Sequence, residues 1–176
     1  MLYVKSVATA PQGALAGYTL SKAASFSDVV LKSTKLQNSD IAKAYNSSNT
    51  GYRTINLTDS NSFTYTANAI CNQHSKATST YKYLQIKKGN DYYIQIPNVE
   101  AAIKKIVLTV SNTTKQMTDG GNTSKLYFSS DKTTKNAIAN GSGESSITID
   151  LTDNKLTTGY IVAEGAIRIW DIEIFY

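Results

Sequence analysis

The sequence predicts a single all-β domain that folds as a two-sheet antiparallel jelly-roll β-sandwich. Three observations support this fold class. Ser, Thr and Asn fill 54 of the 176 positions, and these residues favour turns and exposed strand faces over helix interiors. Twelve tyrosines, against four phenylalanines and one tryptophan, add strand-favouring side chains. Short apolar or alternating segments, about four to eight residues long, recur between clusters of Gly, Asn, Asp and Ser, which is the spacing of a sandwich.

The predicted strands follow one another along the whole chain. In order they cover residues 2–7, 14–20, 26–32, 52–57, 63–68, 81–87, 92–96, 103–110, 125–129, 146–151, 160–163 and 166–176. The spacing of apolar residues also allows single helical turns at 40–45 and 99–105. We expect residues 1–30 to be an N-terminal arm or first strands, and residues 31–176 to be one jelly-roll domain.

Two strands show by alternation which of their faces is buried. In 92–96, Tyr92 shares one face with Ile94 and Ile96, whereas Tyr93 and Gln95 lie on the other. The segment 146–151 alternates apolar and polar residues in the same way. Each of these strands is therefore expected to have one face in water.

Two other strands are expected in the core. Within the predicted strand 103–110, residues 106–108 are all apolar, as in a strand at the centre of a sheet. In 166–176, the apolar positions change parity between Ile169 and Ile172. A β-bulge near Trp170 would restore one continuous apolar face, so we predict a core or bulge role for Trp170 in preference to a sugar-stacking role.

The charged residues do not predict a nucleic-acid partner. The net charge is +5 and the isoelectric point is near 9.1, but sixteen of the eighteen cations are scattered lysines. Only Arg53 and Arg168 could make bidentate phosphate contacts. Nucleic-acid binding usually leaves a clustered basic stripe, whereas scattered lysines discourage pairing between strand edges.

No catalytic centre is evident, and we predict that the protein is not an enzyme. His74 is the only histidine and lies in a predicted polar loop, so any nucleophile-and-base arrangement would have to pass through it. Cys71 is the only cysteine, which excludes an intramolecular disulfide. The two residues could be metal ligands only with a third or fourth soft ligand, which the sequence does not supply.

Calcium is the one cofactor that the residues would permit. Asp119, Asp131 and Asp153 stand in predicted loops, where backbone carbonyls could complete the ligand set. The spacing of a calcium-binding motif does not occur. We therefore predict no cofactor.

A candidate ligand-binding site surrounds the loop 46–51. Tyr45, Asn49, Tyr52 and Arg53 bring aromatic planes, an amide and a guanidinium together between predicted elements, which is typical of a shallow polar site. The alternative is that these tyrosines only cover the end of the sandwich.

Three stretches of the chain carry a family resemblance. Residues 87–97 read KKGNDYYIQIP, residues 103–110 read IKKIVLTV, and residues 166–176 read AIRIWDIEIFY. Over residues 50–176 this pattern resembles galactose-binding-like jelly-roll modules. The resemblance implies a fold whose members often bind carbohydrate through loops at one end, while some serve as structural or adhesive domains. It places no binding residue on this chain.

Two functions follow as hypotheses. The first is a non-enzymatic structural or decoration protein of a virion or similar assembly, because the chain begins at Met, shows no leader and is similar in composition to phage virion proteins. Its partners would be other protein subunits, bound through the arm at 1–30. The alternative is a carbohydrate-binding module of a bacterial cell-surface or secreted system, with a glycan as ligand. Membrane insertion is not expected, because no apolar run approaches about 18 residues.

Overall fold

A computed structural model describes residues 30–48, 50–74 and 81–176, and Leu31–Tyr176 form one compact unit. The predicted arm at 1–30 and the strands at 2–7 and 14–20 lie outside the described residues, Val30 excepted, as does most of the strand at 26–32. The described residues form the elements β1 (Ser33–Leu36), α1 (Asn38–Ala44), β2 (Arg53–Thr58), β3 (Thr64–Gln73), β4 (Lys82–Ile86), β5 (Tyr93–Ile96), β6 (Lys105–Ser111), β7 (Leu126–Ser129), β8 (Lys135–Asn140), β9 (Ser146–Asp150), β10 (Gly159–Ala163) and β11 (Ile167–Phe175).

The strands form a closed barrel. Nine of them pair in the order β11, β4, β3, β5, β10, β7, β8, β9 and β6, and β6 then pairs with β11 to close the ring. Every one of these ladders is antiparallel. Two further strands lie outside the ring, β1 along β11 and β2 along β3. The all-β class is therefore confirmed, but the two-sheet jelly-roll β-sandwich is wrong.

Two strands account for the difference between a sandwich and this barrel. The residues 66–68 of β3 pair with β5, and its residues 70–73 pair with β4. Similarly, β8 pairs with β7 through its first half and with β9 through residues 139–140. In a two-sheet sandwich these stretches of β3 and β8 would lie at the edges of the sheets, whereas a closed barrel has no sheet edge. Inward and outward side chains alternate in both architectures, so the sequence pattern does not distinguish them.

The interior of the barrel is filled from every strand of the ring. The two strands that were expected in the core contribute Ile106, Leu108, Ile172 and Ile174, each of which is fully buried, so this prediction is confirmed. Burial of a side chain of this size stabilises the fold by about 1.5–3 kcal/mol. The predicted strands at 103–110 and 166–176 correspond to β6 and β11.

The predicted β-bulge is present in β11. Its register against β6 shifts between Ile169 and Asp171, so Ile169 and Ile172 both face the interior. Trp170 is fully buried but lies outside the main core cluster. Its indole Nε1 donates to Ser111 Oγ at 3.0 Å, which satisfies the one polar atom of the ring. The core or bulge role predicted for this residue is confirmed.

Helix α1 corresponds to the turn that was predicted at 40–45. It begins with a capping box, in which the backbone N–H of Gln37 donates to Asp40 Oδ2 at 3.1 Å. Ile41 is fully buried on the core side, and Cys71 Sγ of β3 donates to its carbonyl oxygen at 3.5 Å. No helix forms at 99–105. With seven residues, α1 is too short to cross a membrane, and the described part of the chain contains no longer helix.

Candidate functional site

The predicted ligand residues are found around the end of α1 and the start of β2. Tyr45 follows the helix, and Lys82 Nζ lies 4.1 Å from the centre of its ring. Arg53 begins β2 and donates from Nη2 to the carbonyl oxygen of Ala44 at 3.1 Å. Tyr45 and Arg53 therefore both adjoin the last turn of α1. Asn49 lies outside the described residues.

Tyr52 belongs to a different group, the Lys87 cluster, which consists of Tyr52, Tyr92 and Lys87. The two ring centroids are 4.5 Å apart and the rings are tilted by 58°. Lys87 Nζ lies 4.7 Å from the centroid of Tyr52 and 4.5 Å from that of Tyr92. Gln85 Nε2 donates to Tyr52 Oη at 3.4 Å. The sequence thus predicted an aromatic site here but did not find the residues near β4 and β5 that complete it.

The connection between β4 and β5 sets the position of Tyr92. Gly89 has a φ of 125°, a conformation that side-chain-bearing residues rarely adopt. A Cβ at this position would also lie 3.3 Å from Cδ2 of Tyr92. The glycine therefore lets the chain turn tightly beneath the ring.

A second group on the outer face of the barrel has the same composition. This Lys132 cluster consists of Tyr93 on β5, Tyr160 on β10 and Lys132 in the turn between β7 and β8. The tyrosine centroids are 5.5 Å apart and the rings are perpendicular. Lys132 Nζ lies 4.6 Å from the centroid of Tyr93 and 5.5 Å from that of Tyr160. Each such cation–π contact contributes about 0.5–1 kcal/mol at an exposed site.

The turn before β8 holds Lys132 in an unusual backbone conformation. Its φ is 74°, which costs a non-glycine residue roughly 1–2 kcal/mol. Asp131 offsets this cost, because its Oδ1 accepts the backbone N–H of Thr134 at 2.6 Å and that of Thr133 at 2.8 Å. These hydrogen bonds hold the pKa of Asp131 well below its usual range. The turn thus fixes Lys132 over the two rings.

A hydrogen-bonded group flanks the Lys132 cluster. Lys135 Nζ lies 4.5 Å from the ring centroid of Tyr127 and forms an ion pair with Glu164. The hydrogen bonds from Lys135 and Tyr127 lower the pKa of Glu164, whereas partial burial and the contact with Glu164 raise the pKa of Tyr127. The charge of Lys135 is therefore already compensated by a carboxylate.

The tyrosines form a nearly continuous surface across three strands. Val162 of β10 is directly opposite Tyr93 on one side and Tyr127 on the other, and it is only 6% exposed although it lies on the outer face. Gln95 is directly opposite Tyr160 and adds an amide next to the rings. We call the surface formed by Tyr93, Tyr127, Tyr160, Val162 and Gln95 the tyrosine face.

Sequence reasoning missed this surface for a topological reason. It placed Tyr93 correctly with Gln95 on a face away from Ile94, and Tyr160 and Tyr127 show the same parity in their strands. The alternation within each strand therefore already indicated a tyrosine on the outer face. What the sequence did not show was that β5, β10 and β7 are neighbours in the barrel.

The described residues do not bring together the ligands of a metal site. His74 directly follows β3 and is 7% exposed, and residues 75–80 of the polar loop predicted around it lie outside the described residues. Burial raises the pKa of Cys71 to about 11. Within the described ranges, three His, Cys, Asp or Glu side chains never meet as a metal site would require. Asp131, one of the three candidate calcium ligands, uses both carboxylate oxygens within its own turn.

Two open clefts lie on the described surface. One measures about 790 Å³ and lies between the start of β8 and residues 150–156, with no aromatic ring among the residues that line it. The other measures about 520 Å³ and adjoins the start of α1, with Tyr81, Met117 and Asp171 in its wall. Neither lining contains histidine or cysteine. The tyrosine clusters are therefore the more specific feature of this surface.

Comparison with known proteins adds no relative to this description. A scan against protein-family models finds no match, and a search of curated proteins finds none either. The support for the candidate site therefore comes from the geometry of its residues.

Proposed function

We propose that this protein binds carbohydrate without altering it chemically, and that the tyrosine face is the binding surface. The observation that carries the proposal is the Lys132 cluster, in which two aromatic rings and an ammonium group are held together on the outside of a closed barrel. Aromatic rings offer the C–H faces of a sugar an apolar contact, and the phenol group at the ring's end can bond to hydroxyl groups.

The polar residues of the tyrosine face support a sugar over a purely apolar ligand. Gln95 carries both a donor and an acceptor, which suits the hydroxyl groups of a sugar ring. Thr66 of β3 is directly opposite Gln95 and extends this polar row along the face. A ligand that is apolar on one side and polar at its edges would match this arrangement.

The same residues give little support to nucleic acid as the ligand. Base stacking on a protein surface uses the open faces of aromatic rings together with a basic groove. Here Lys135, which lies over the ring of Tyr127, is paired with Glu164. Of the two lysines that lie over rings of the tyrosine face, Lys132 is the one without an ion pair to another described residue.

A role in a virion or similar assembly stays a prediction. Its predicted contact with other subunits lies in the segment 1–30, of which the described residues include only Val30. Deleting residues 1–30 and measuring incorporation into particles remains the test of that alternative.

A glycan array with matched variants tests the proposal. We expect the full chain to bind at least one class of glycan, and Tyr93→Ala and Tyr160→Ala each to weaken that binding about five- to tenfold. Tyr81→Ala is the control, because Tyr81 is an exposed tyrosine outside both clusters. Tyr52→Ala and Arg53→Ala test whether the originally predicted loop takes part.

The outcomes separate the alternatives. Binding that is lost with Tyr52→Ala but not with Tyr93→Ala would place the site at the Lys87 cluster and contradict the tyrosine face. A full chain that binds no glycan, at concentrations up to about 1 mM, would refute the proposed function.

A further inference from the structure

We propose that the Lys132 cluster recognises an acidic sugar, with the carboxylate of the sugar bound to Lys132 Nζ. This inference rests on the proposed function, because it names the ligand class of the same surface. It is carried by the placement of one uncompensated ammonium group on two aromatic rings.

Lys132 forms no ion pair with another described residue. The four ion pairs between described residues involve Lys32, Lys35, Lys43 and Lys135, and none includes Lys132. The chain also carries a net charge of +5. A negatively charged ligand is therefore favoured over a neutral one at this position, and strongly favoured over a positive one.

The rings of Tyr93 and Tyr160 leave N–H donors of the Lys132 ammonium group available to a ligand. A lysine ammonium has three N–H donors and no acceptor, and a cation–π contact uses the side of the group that faces the rings. Tyr93 and Tyr160 cover that side of Lys132 and reduce its contact with water. A carboxylate on the opposite side would form a charge-assisted hydrogen bond, which is stronger than a bond between neutral groups.

The turn fixes the backbone from which the side chain of Lys132 reaches the two rings. Four hydrogen bonds from Thr133 and Thr134 to Asp131 fix the backbone around Lys132, whose positive φ would otherwise be unfavourable. A backbone held in a rarely populated conformation is often found at binding sites, where it orients a side chain. Because the side chain is already oriented, less conformational entropy is lost on binding.

The neighbouring residues suit the rest of a sugar ring. Val162 and the half-buried rings of Tyr93 and Tyr127 form an apolar surface beside the ammonium group. Gln95 lies across from Tyr160 on the next strand and offers hydrogen bonds to hydroxyl groups. A uronic acid has the required combination of a carboxylate, C–H groups and hydroxyls.

The experiment compares acidic glycans with their uncharged forms. Polygalacturonate, alginate and hyaluronan are each paired with the same polymer after reduction of its carboxyl groups, and binding to the full chain is measured by calorimetry. We expect at least one acidic form to bind about tenfold more tightly than its reduced form. Lys132→Met should remove this preference, so that the acidic and reduced forms bind equally to the variant.

Matched variants make the result specific. Lys115→Met removes one exposed cation in the connection after β6 and should keep the preference, since Lys115 belongs to neither cluster. Equal binding of acidic and reduced forms, still weakened by Tyr93→Ala, would overturn the inference but leave the proposed function standing. Absence of binding to every acidic and reduced form would overturn the inference, and the glycan array would then decide the proposed function. A preference that survives Lys132→Met would place the anion contact at another residue and contradict the inference.

Discussion

At the scale of single residues, burial decides what the reactive side chains of this protein can do. Cys71 is 1% exposed on β3, and burial raises its pKa to about 11. The thiolate is the reactive form of cysteine, so a raised pKa and poor access both slow its chemistry. The structure therefore makes the one cysteine a core residue and not a nucleophile.

The reactivity of Cys71 can be measured directly. We expect a thiol reagent at pH 8 to label the folded protein only as fast as the chain unfolds, because the thiol is both protonated and enclosed. Thr58→Cys, at an exposed position of β2, should be labelled at the rate of a free thiol. Rapid labelling of Cys71 in the folded wild type would contradict its buried position.

Trp170 is the residue whose loss should cost the most stability. It is fully buried, packs against Tyr83 with centroids 5.1 Å apart, and donates to Ser111. We expect Trp170→Ala to lower the free energy of unfolding by about 3–5 kcal/mol in denaturant titrations. Tyr81→Ala, at an exposed site, should change it by less than about 0.5 kcal/mol. Similar effects of the two substitutions would show that Trp170 is not part of the packed structure.

At the scale of elements, the turn between β7 and β8 depends on one carboxylate. Asp131→Ala removes the acceptor of five hydrogen bonds, and we expect it to weaken ligand binding by releasing Lys132 from the rings. Asp131→Asn keeps one oxygen in place and should have a smaller effect. Binding affinities measured for both variants, with near-ultraviolet circular dichroism as a check of folding, test this order. Equal losses in both would indicate that the charge, and not the turn, matters.

The same carboxylate gives a predicted pH dependence. Hydrogen bonds from the turn lower the pKa of Asp131 in the folded state, so its ionised form stabilises the fold at pH above the unfolded pKa of about 3.9. That contribution is lost as the pH falls through the lower, folded pKa. We expect the difference in unfolding free energy between wild type and Asp131→Ala to stay constant above about pH 5 and to shrink below about pH 4. A difference that grew in acid would contradict the assigned direction.

The start of β10 tolerates no side chain. A Cβ at Gly159 would lie 2.5 Å from the ring of Phe128 and 2.8 Å from the carbonyl oxygen of Ser129. We expect Gly159→Ala to lower the free energy of unfolding by about 1–3 kcal/mol, because the core ring and the neighbouring strand would have to shift. Gly51→Ala is the matched control, since nothing lies within 4 Å of its Cβ position. Denaturant titrations of both variants should separate them clearly.

At the scale of the whole molecule, the ladders that join neighbouring strands of the barrel differ in length. Seven residue pairs join β6 to β11, whereas β8 and β9 share two pairs, and most residues of β8 are exposed. We expect backbone amides of β8 to exchange hydrogen by local opening, and those of β6 and β11 only on global unfolding. Hydrogen exchange resolved by residue measures this difference. Equal protection of β8 and β11 would mean that the barrel opens as one unit.

The sequence by itself determined the all-β class and, for most strands, which side chains face the interior. The alternation in 92–96 placed Tyr93 and Gln95 on the outer face, and the change of parity after Ile169 predicted the bulge. Such features depend on a residue and its near neighbours along the chain, because the side-chain period of a strand is two. The strand β8 was missed, since its sequence KNAIAN has a single large apolar residue and lies mostly exposed.

Only the tertiary structure decided the architecture and the site. Closure depends on β3 and β8 pairing on both sides and on β6 meeting β11, and these partners are far apart in the sequence. The loop around Tyr52 and Arg53 was predicted as a site, but the rings of Tyr93 and Tyr160 come together only because β5 and β10 are adjacent. Strand alternation specifies which side chains face water, whereas pairing between distant strands specifies which of them become neighbours.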